Sequence, residues 1–283
     1  MISSAFAESR TQSSLLFHYI VERDLASQLR RAWAEERLGL YRTVYNELFR
    51  RIPDHPQQIR KGDPVAQAES TRDQLTFLRY FLKPDTVYLE IGCGDAHLSL
   101  SVAPQVRQAY AVEVSELVAD QNTSRENFQL LMSDGIAIDV PRGTVTFAYS
   151  HQVIEHLHPE DATRQLQHVV NAMAPGGTYA CVTPHLFSGP HDISGYFAEE
   201  AGGFHLKEYT YRELRRLLRG AGFESVQFWI GAKGQFFRLP SLLVLAFEAA
   251  IGRLPRHLRR AAAKTRALTP IFGNIFMVGR KPK

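Results

Sequence analysis

Residues 86–100 read TVYLEIGCGDAHLSL, and this stretch decides the fold. Val87, Tyr88, Leu89 and Ile91 form a short apolar run with β-branched and aromatic members, the composition of a buried strand. The run ends in Gly92-Cys93-Gly94, a sharp glycine turn, and a helix opens at Ala96. A strand that turns over glycines into a helix start brings bare backbone to the strand's carboxyl edge, where a ribose, a phosphate or a carboxylate can approach.

Outward from this unit, strands and helices alternate. Strands are expected over 108–114, 128–133, 145–150, 177–183, 223–230 and 271–279, and helices over 96–103, 116–127, 160–173 and 211–220. That rhythm implies an α/β fold with a mostly parallel sheet covered on both faces. Ahead of it, apolar residues at helical spacing predict helix over 13–51, a loop over 52–64 with three prolines, and a second helix over 70–82. The domain reading is a helical extension over 1–69 and an α/β domain over 70–283. Two insertions interrupt the latter, 184–210 after the fifth strand and 231–270 before the last, the second read as helical. Loops at strand carboxyl ends in such sheets form the ligand crevice.

Composition is that of a globular chain, with 45% hydrophobic residues and two cysteines, Cys93 and Cys181, too few for a disulfide framework. No basic leader precedes an apolar stretch, and the longest apolar run, 242–251, is broken by Glu248. A cytoplasmic protein is the expectation. The net charge of +4 is unevenly placed: from Gly252 onward there are nine Lys or Arg and no Asp or Glu, leaving −5 for the rest. This basic region is either a solvated helix face or a surface for phosphates, nucleic acid or an anionic membrane.

Acidic residues sort the ligand. Glu113 closes the second strand, 19 residues after Gly94, where a carboxylate can accept from both hydroxyls of a ribose. Asp134, followed by Gly135, closes the third and is placed to accept from an adenine amino group. Glu90 and Asp95 flank the turn; they repel a pyrophosphate and suit a ligand with a cationic end. The turn lacks the third glycine of a dinucleotide fingerprint, having His97 there, and there is no GxxxxGK[ST] phosphate loop.

Taken together, these residues resemble class I S-adenosylmethionine-dependent methyltransferases over about 70–282. The matching segments are Glu90-Ile91-Gly92-Cys93-Gly94-Asp95, the acids Glu113 and Asp134-Gly135, and Ser150-His151-Gln152-Val153-Ile154-Glu155-His156-Leu157. Pro175-Gly176-Gly177 and the closing strand around Asn274-Ile275-Phe276 complete the set. The resemblance implies a Rossmann-like seven-stranded sheet in the order 3-2-1-4-5-7-6 with an antiparallel last strand. It implies S-adenosyl-L-methionine as co-substrate, held by Glu90, Gly92, Cys93, Gly94, Glu113, Val114, Asp134, Gly135 and Ser150, with the methyl near 150–152.

Methyl transfer from a sulfonium is an in-line displacement on an activated donor, so the enzyme mainly positions the reactants; a hydroxyl acceptor also benefits from a base. The candidate bases are His151 at the fourth strand's end and His185 and His191 in the following insertion. His156, His158 and His205 read as structural. His185, His191 and Asp192 lack a rigid metal-ligand spacing, so no metal is expected. An amino-methylating DNA enzyme is disfavoured, because Tyr149-Ser150-His151-Gln152 carries no Asp/Asn-Pro-Pro-aromatic pattern. The expected acceptor is an oxygen on a small molecule, glycan or lipid-linked intermediate. Phe17, Tyr19, Trp33, Tyr41 and Tyr45 of the cap are candidates to line its pocket. The apolar-then-basic segment 236–268 reads as a peripheral contact with the inner membrane face, a lid or a dimer interface. The alternatives are an RNA methyltransferase using the basic region and a non-catalytic S-adenosylmethionine-binding protein.

Overall fold

A computed structural model describes residues 10–118, 125–232 and 234–283. Four helices lead: α1 (Gln12–Arg31), α2 (Ala34–Arg51), α3 (Pro56–Lys61) and α4 (Pro64–Leu78). The single helix expected over 13–51 is therefore two. Ala32 and Trp33 are extended, with ψ of 146° and 159°, and Glu36 closes the new start by accepting from the Trp33 N–H at 2.9 Å. The break lets the helices pack on each other, so that Val21, Leu25 and Leu29 share one core with Tyr41, Val44 and Leu48. The expected loop over 52–64 contains α3. The next helix starts before residue 70, because Asp63 accepts from the N–H groups of Val65 and Ala66 at 3.0 and 3.1 Å, with Pro64 in the first turn.

The remaining elements are β1 (Val87–Ile91), α5 (His97–Val102), β2 (Gln108–Glu113), β3 (Phe128–Met132), β4 (Val145–His151), α6 (Pro159–Ala172), β5 (Met173–Pro184), α7 (Tyr211–Ala221), β6 (Ser225–Ala232), β7 (Gln235–Leu239), α8 (Ser241–Gly252), α9 (Arg256–Ala263), α10 (Thr269–Phe272) and β8 (Asn274–Arg280). The helix expected over 116–127 falls in part on 119–124, outside the described residues.

The sheet order is β3-β2-β1-β4-β5-β8-β6-β7. Strands β1 to β5 are parallel, and β8 inserts antiparallel between β5 and β6. This is the expected order with one addition, the edge strand β7, which forms a hairpin with β6 in the insertion over 231–270, ahead of the helices expected there at 241–251 and 256–268 and found as α8 and α9. The reason lies in distant aromatics. Phe236 packs on Phe77 of α4 at 4.7 Å and on Phe276 of β8 at 5.0 Å, which pulls the segment onto the sheet edge. The last strand begins at Asn274 rather than 271, since α10 takes Ile271.

Alternation along β1 separates two cores. Val87, Leu89 and Ile91 face α1, α2, α6 and α7; Tyr88 faces α4 and α5 with Phe77, Leu78 and Val102. The cap joins the sheet layer through buried charge. Arg37 of α2 donates from Nε to Asp161 Oδ2 at 2.5 Å and from its second Nη to Asp161 Oδ1 at 3.2 Å and Glu160 Oε2 at 2.7 Å. Tyr41 donates its hydroxyl to the same Asp161 at 2.9 Å. Arg37 is 2% exposed and Asp161 not at all.

Removing one member of such a pair strands a charge in the interior. Arg37→Met is expected to cost about 3–5 kcal/mol of stability in urea unfolding, and adding Asp161→Leu to recover part of it. A loss below about 1 kcal/mol, the range of an exposed pair, would contradict the account.

Candidate functional site

The carboxyl ends of β1, β2 and β3 converge on the glycine turn. Gly92 has φ +67°, and a Cβ there would stand 2.5 Å from Val153 Cγ2, so both conformation and space require glycine. Glu113 braces the turn from β2. Its Oε2 accepts from Gly94 N at 2.8 Å, and its Oε1 from Val114 N at 2.7 Å and Ser115 N at 3.1 Å. Burial pushes its carboxyl upward, and these three N–H groups offset part of the shift. Asp95 caps α5 through His97 N at 3.0 Å and accepts from Gln67 of α4 at 2.8 Å. After β3, Asp134 Oδ1 accepts from Ile136 N and Ala137 N, both at 2.8 Å, which shapes the loop around Gly135.

Two cavities meet over this turn. One, of about 470 Å³, is bounded by Gly92, Gly94, Val112, Glu113, Val114, Ser133 and Gly135 on the sheet side. Tyr41, Tyr45, Leu48 and Phe49 of α2 roof it, and its far end is lined by His18, Glu22, His55, His156, His191, Asp192 and His205. The other, of about 520 Å³, lies on the α4 side and takes in Glu90, Cys93, Asp95, Tyr149 and His151. Gly92, Gly94, Gln152 and His156 line both. Of the five cap aromatics expected to line a pocket, Tyr41 and Tyr45 do so, whereas Trp33 is 76% exposed.

The structure divides the three candidate bases. His151 borders the α4-side cavity, with Nε2 buried and without a hydrogen-bond partner among the described residues; burial, with Arg60 adding, pushes its pKa down to about 4. His191 borders the roofed cavity. Its Nε2 lies 2.9 Å from Ser188 Oγ and 3.2 Å from the His185 carbonyl, and its backbone N–H donates to Glu208 at 2.7 Å. His185 borders neither cavity. It is fully buried, with Nε2 on Glu248 at 2.9 Å, Nδ1 accepting from Phe187 N at 3.0 Å and its ring packed against Phe187, Tyr211 and Phe272. Both nitrogens are committed, so His185 ties the insertion to α8. Ser150 is likewise turned away, pairing with the Tyr179 hydroxyl at 2.7 Å, and the Asp134 side chain borders neither cavity.

The cavity also gathers residues that sequence spacing did not bring together. Glu155, His156 and His205 place a ligand-capable atom each within 4.8 Å of one another, as do His18, Glu22 and His55. The i, i+4 pair His18–Glu22 was a readable signal on α1. His205 stands far along the chain from Glu155-His156, and no spacing rule reaches it. Loop 202–205 is held against α1: Arg30 donates to the carbonyls of Gly202, Gly203 and His205 at 3.0, 2.9 and 3.2 Å, and Glu22 accepts from Phe204 N at 3.2 Å.

A family profile described as a methyltransferase domain matches residues 65–227. No curated protein matches the chain. Among solved structures, a methyltransferase bound to its activator from Haloferax volcanii is 15% identical, with 75% of this chain and 89% of that one covered, at a TM-score of 0.52. A SAM-dependent methyltransferase from Thermotoga maritima is 15% identical over 76% of this chain and 89% of its own, at 0.50. Phosphoethanolamine N-methyltransferase 2 of Haemonchus contortus, in complex with S-adenosyl-L-methionine, is 13% identical over 75% and 52%, at 0.51. At these identities the likeness is one of fold.

Glu90 supplies a test of the site's electrostatics. Burial, with Asp95 and Glu113 adding, pushes its carboxyl up to about 8, against the Ser99 hydroxyl that donates to it. A group raised in the folded state stabilises below its unfolded pKa and loses that contribution as pH rises through the folded one. Between pH 5 and 8 the wild type is therefore expected to lose on the order of 3 kcal/mol relative to Glu90→Gln, read from urea unfolding at each pH. Parallel stability curves would show that Glu90 ionises freely.

Proposed function

The chain belongs to the S-adenosylmethionine-dependent methyltransferases, and from that premise we propose that it methylates an oxygen of a small molecule held in the cavity roofed by α2. The observation that carries this reading is the roof itself. One continuous space of about 470 Å³ runs from Glu113 and the glycine turn to a histidine- and carboxylate-rich end, a size suited to a small ligand. The residues of the basic segment, from Gly252 onward, do not line it, which weighs against an RNA acceptor engaged through that segment.

In this reading Glu113 takes a ribose hydroxyl on Oε2, on the lone-pair site left by its three backbone partners. Gly92 and Gly94 admit the donor close to the backbone, Val114 flanks the ribose, and Ser133 and Gly135 face the base. Asp134 acts by shaping the loop that carries Gly135. The aminoacyl end lies on the α4 side, where Glu90 and Cys93 line the wall; an ammonium there favours the ionised form of Glu90. The sulfonium already activates the methyl, so the main tasks are to align it with the acceptor oxygen and to exclude water. A base then takes the hydroxyl proton. His191 is the choice: its Nε2 faces the His185 carbonyl, which can only accept, so the proton resides on Nε2 and Nδ1 is the atom that receives another.

A lipid-linked version of the acceptor draws on α8 and α9. Leu242 and Leu243 at the start of α8 are 82% and 67% exposed, and the basic residues from Arg253 onward follow that helix in sequence, a composition suited to an anionic membrane surface.

Glu113→Ala is expected to weaken S-adenosylmethionine binding by about 10- to 100-fold in calorimetry, the worth of one or two hydrogen bonds to a charged group. Unchanged affinity would remove the ribose assignment. With methyl-labelled donor and a cell extract, label is expected in a small-molecule hydroxyl product; label in RNA would overturn the acceptor reading.

A further inference from the structure

We propose that Glu155, His156 and His205 bind one divalent transition-type cation in the wall of the roofed cavity. Their ligand-capable atoms lie within 4.8 Å of one another, the spacing of donors that share an ion. Glu155 is wholly buried. Its Oε2 accepts from the Thr183 hydroxyl at 2.9 Å, but its Oε1 has no hydrogen-bond partner among the described residues. A buried carboxylate oxygen left without a partner is costly unless something of opposite charge meets it.

The two imidazoles are prepared in the same sense. His156 Nδ1 lies 3.1 Å from the Phe204 carbonyl, an acceptor only, so Nδ1 carries the proton and Nε2 presents its lone pair. His205 Nδ1 lies 2.9 Å from Glu208 Oε1, the carboxylate–histidine arrangement that orients an imidazole for a metal on its other nitrogen. The rings stand edge to face with centroids 4.9 Å apart. Arg30 and Glu22 hold the loop that carries His205, so the set is fixed by tertiary contacts on both sides.

The donor set identifies the class of ion. Two neutral imidazoles and one carboxylate suit Mn²⁺, Fe²⁺, Co²⁺ or Zn²⁺ better than Mg²⁺ or Ca²⁺, which favour all-oxygen shells. The cluster of His18, Glu22 and His55 does not share this preparation. His18 is engaged on Nε2 by Glu22 at 2.8 Å and on Nδ1 by the cationic Arg10 at 2.7 Å. Because His156 and His205 border the roofed cavity, coordination positions beyond the three protein ligands face it. Resting on the acceptor reading above, the cation binds the acceptor oxygen there and favours its deprotonated form.

The test uses the full chain, stripped with a chelator and titrated with Co²⁺ alone under calorimetry and visible absorption, without donor or acceptor. One equivalent is expected to bind with absorption bands of nitrogen and oxygen ligation. Glu155→Gln and His205→Gln are each expected to weaken binding by roughly 10- to 100-fold, Glu208→Gln to weaken it about tenfold, and His18→Gln to leave it unchanged. Circular dichroism confirms that each variant is folded. If the buried Glu155→Gln does not fold, His205→Gln on the loop decides. No saturable Co²⁺ binding to wild type, or binding unaffected by His205→Gln, overturns the proposal. S-adenosylhomocysteine binding, measured in parallel, separates the two readings: Co²⁺ lost with that binding retained defeats the cation site alone. Co²⁺ bound with no S-adenosylhomocysteine affinity defeats the donor assignment alone.

Discussion

A charge with no access to water must be matched where it stands, and Asp161 is such a charge. Arg37 and Tyr41 of α2 meet it at the start of α6, and much of the site's shape follows from that pairing. The bond fixes α2 over the ends of β1 to β3. It sets the Tyr41 ring against Gly135, where a Cβ would come within 3.0 Å, and stacks Tyr45 on Phe204 at 4.8 Å. Phe204 belongs to the loop that α1 holds through Arg30 and Glu22. The roof, the loop carrying Gly135 and the loop carrying Phe204 are thus parts of one packed arrangement. The roofed cavity comes from contacts between residues more than ninety positions apart.

The side built on the glycine turn has a different logic, since its parts are local. Glu113 reaches back to the Gly94 N–H and joins the ends of β1 and β2 before any ligand arrives. The loop after β3 is closed by the side chains of Ser133 and Asp134 on their own backbone. A site built this way needs little reorganisation on binding, which keeps the ordering cost of binding low.

This contrast explains what the sequence made legible. The parallel strands, the glycine turn and Glu113 follow from patterns within one or two elements, and the antiparallel final strand from the family resemblance. The far end of the cavity does not. His185 sits in a loop that is expected to touch substrate, yet Glu248 and Phe272, far along the chain, enclose it. Ser150 lies at the expected strand end, but Tyr179 of the neighbouring strand turns it inward. Strand β7 exists because Phe236 finds Phe77 and Phe276, whereas its own stretch looks like the approach to a helix. Glu155 and His156 are adjacent and readable; the fold alone brings His205 to them.

The cap and the sheet-side loops border a single cavity, so that a ligand on the sheet side is felt by the roof. Hydrogen–deuterium exchange with and without S-adenosylhomocysteine tests it most directly. The account predicts slower exchange both in the loops over 92–95, 113–115 and 133–137 and in α2 over 41–49. Protection confined to the sheet loops, with α2 exchanging at its ligand-free rate, would contradict it.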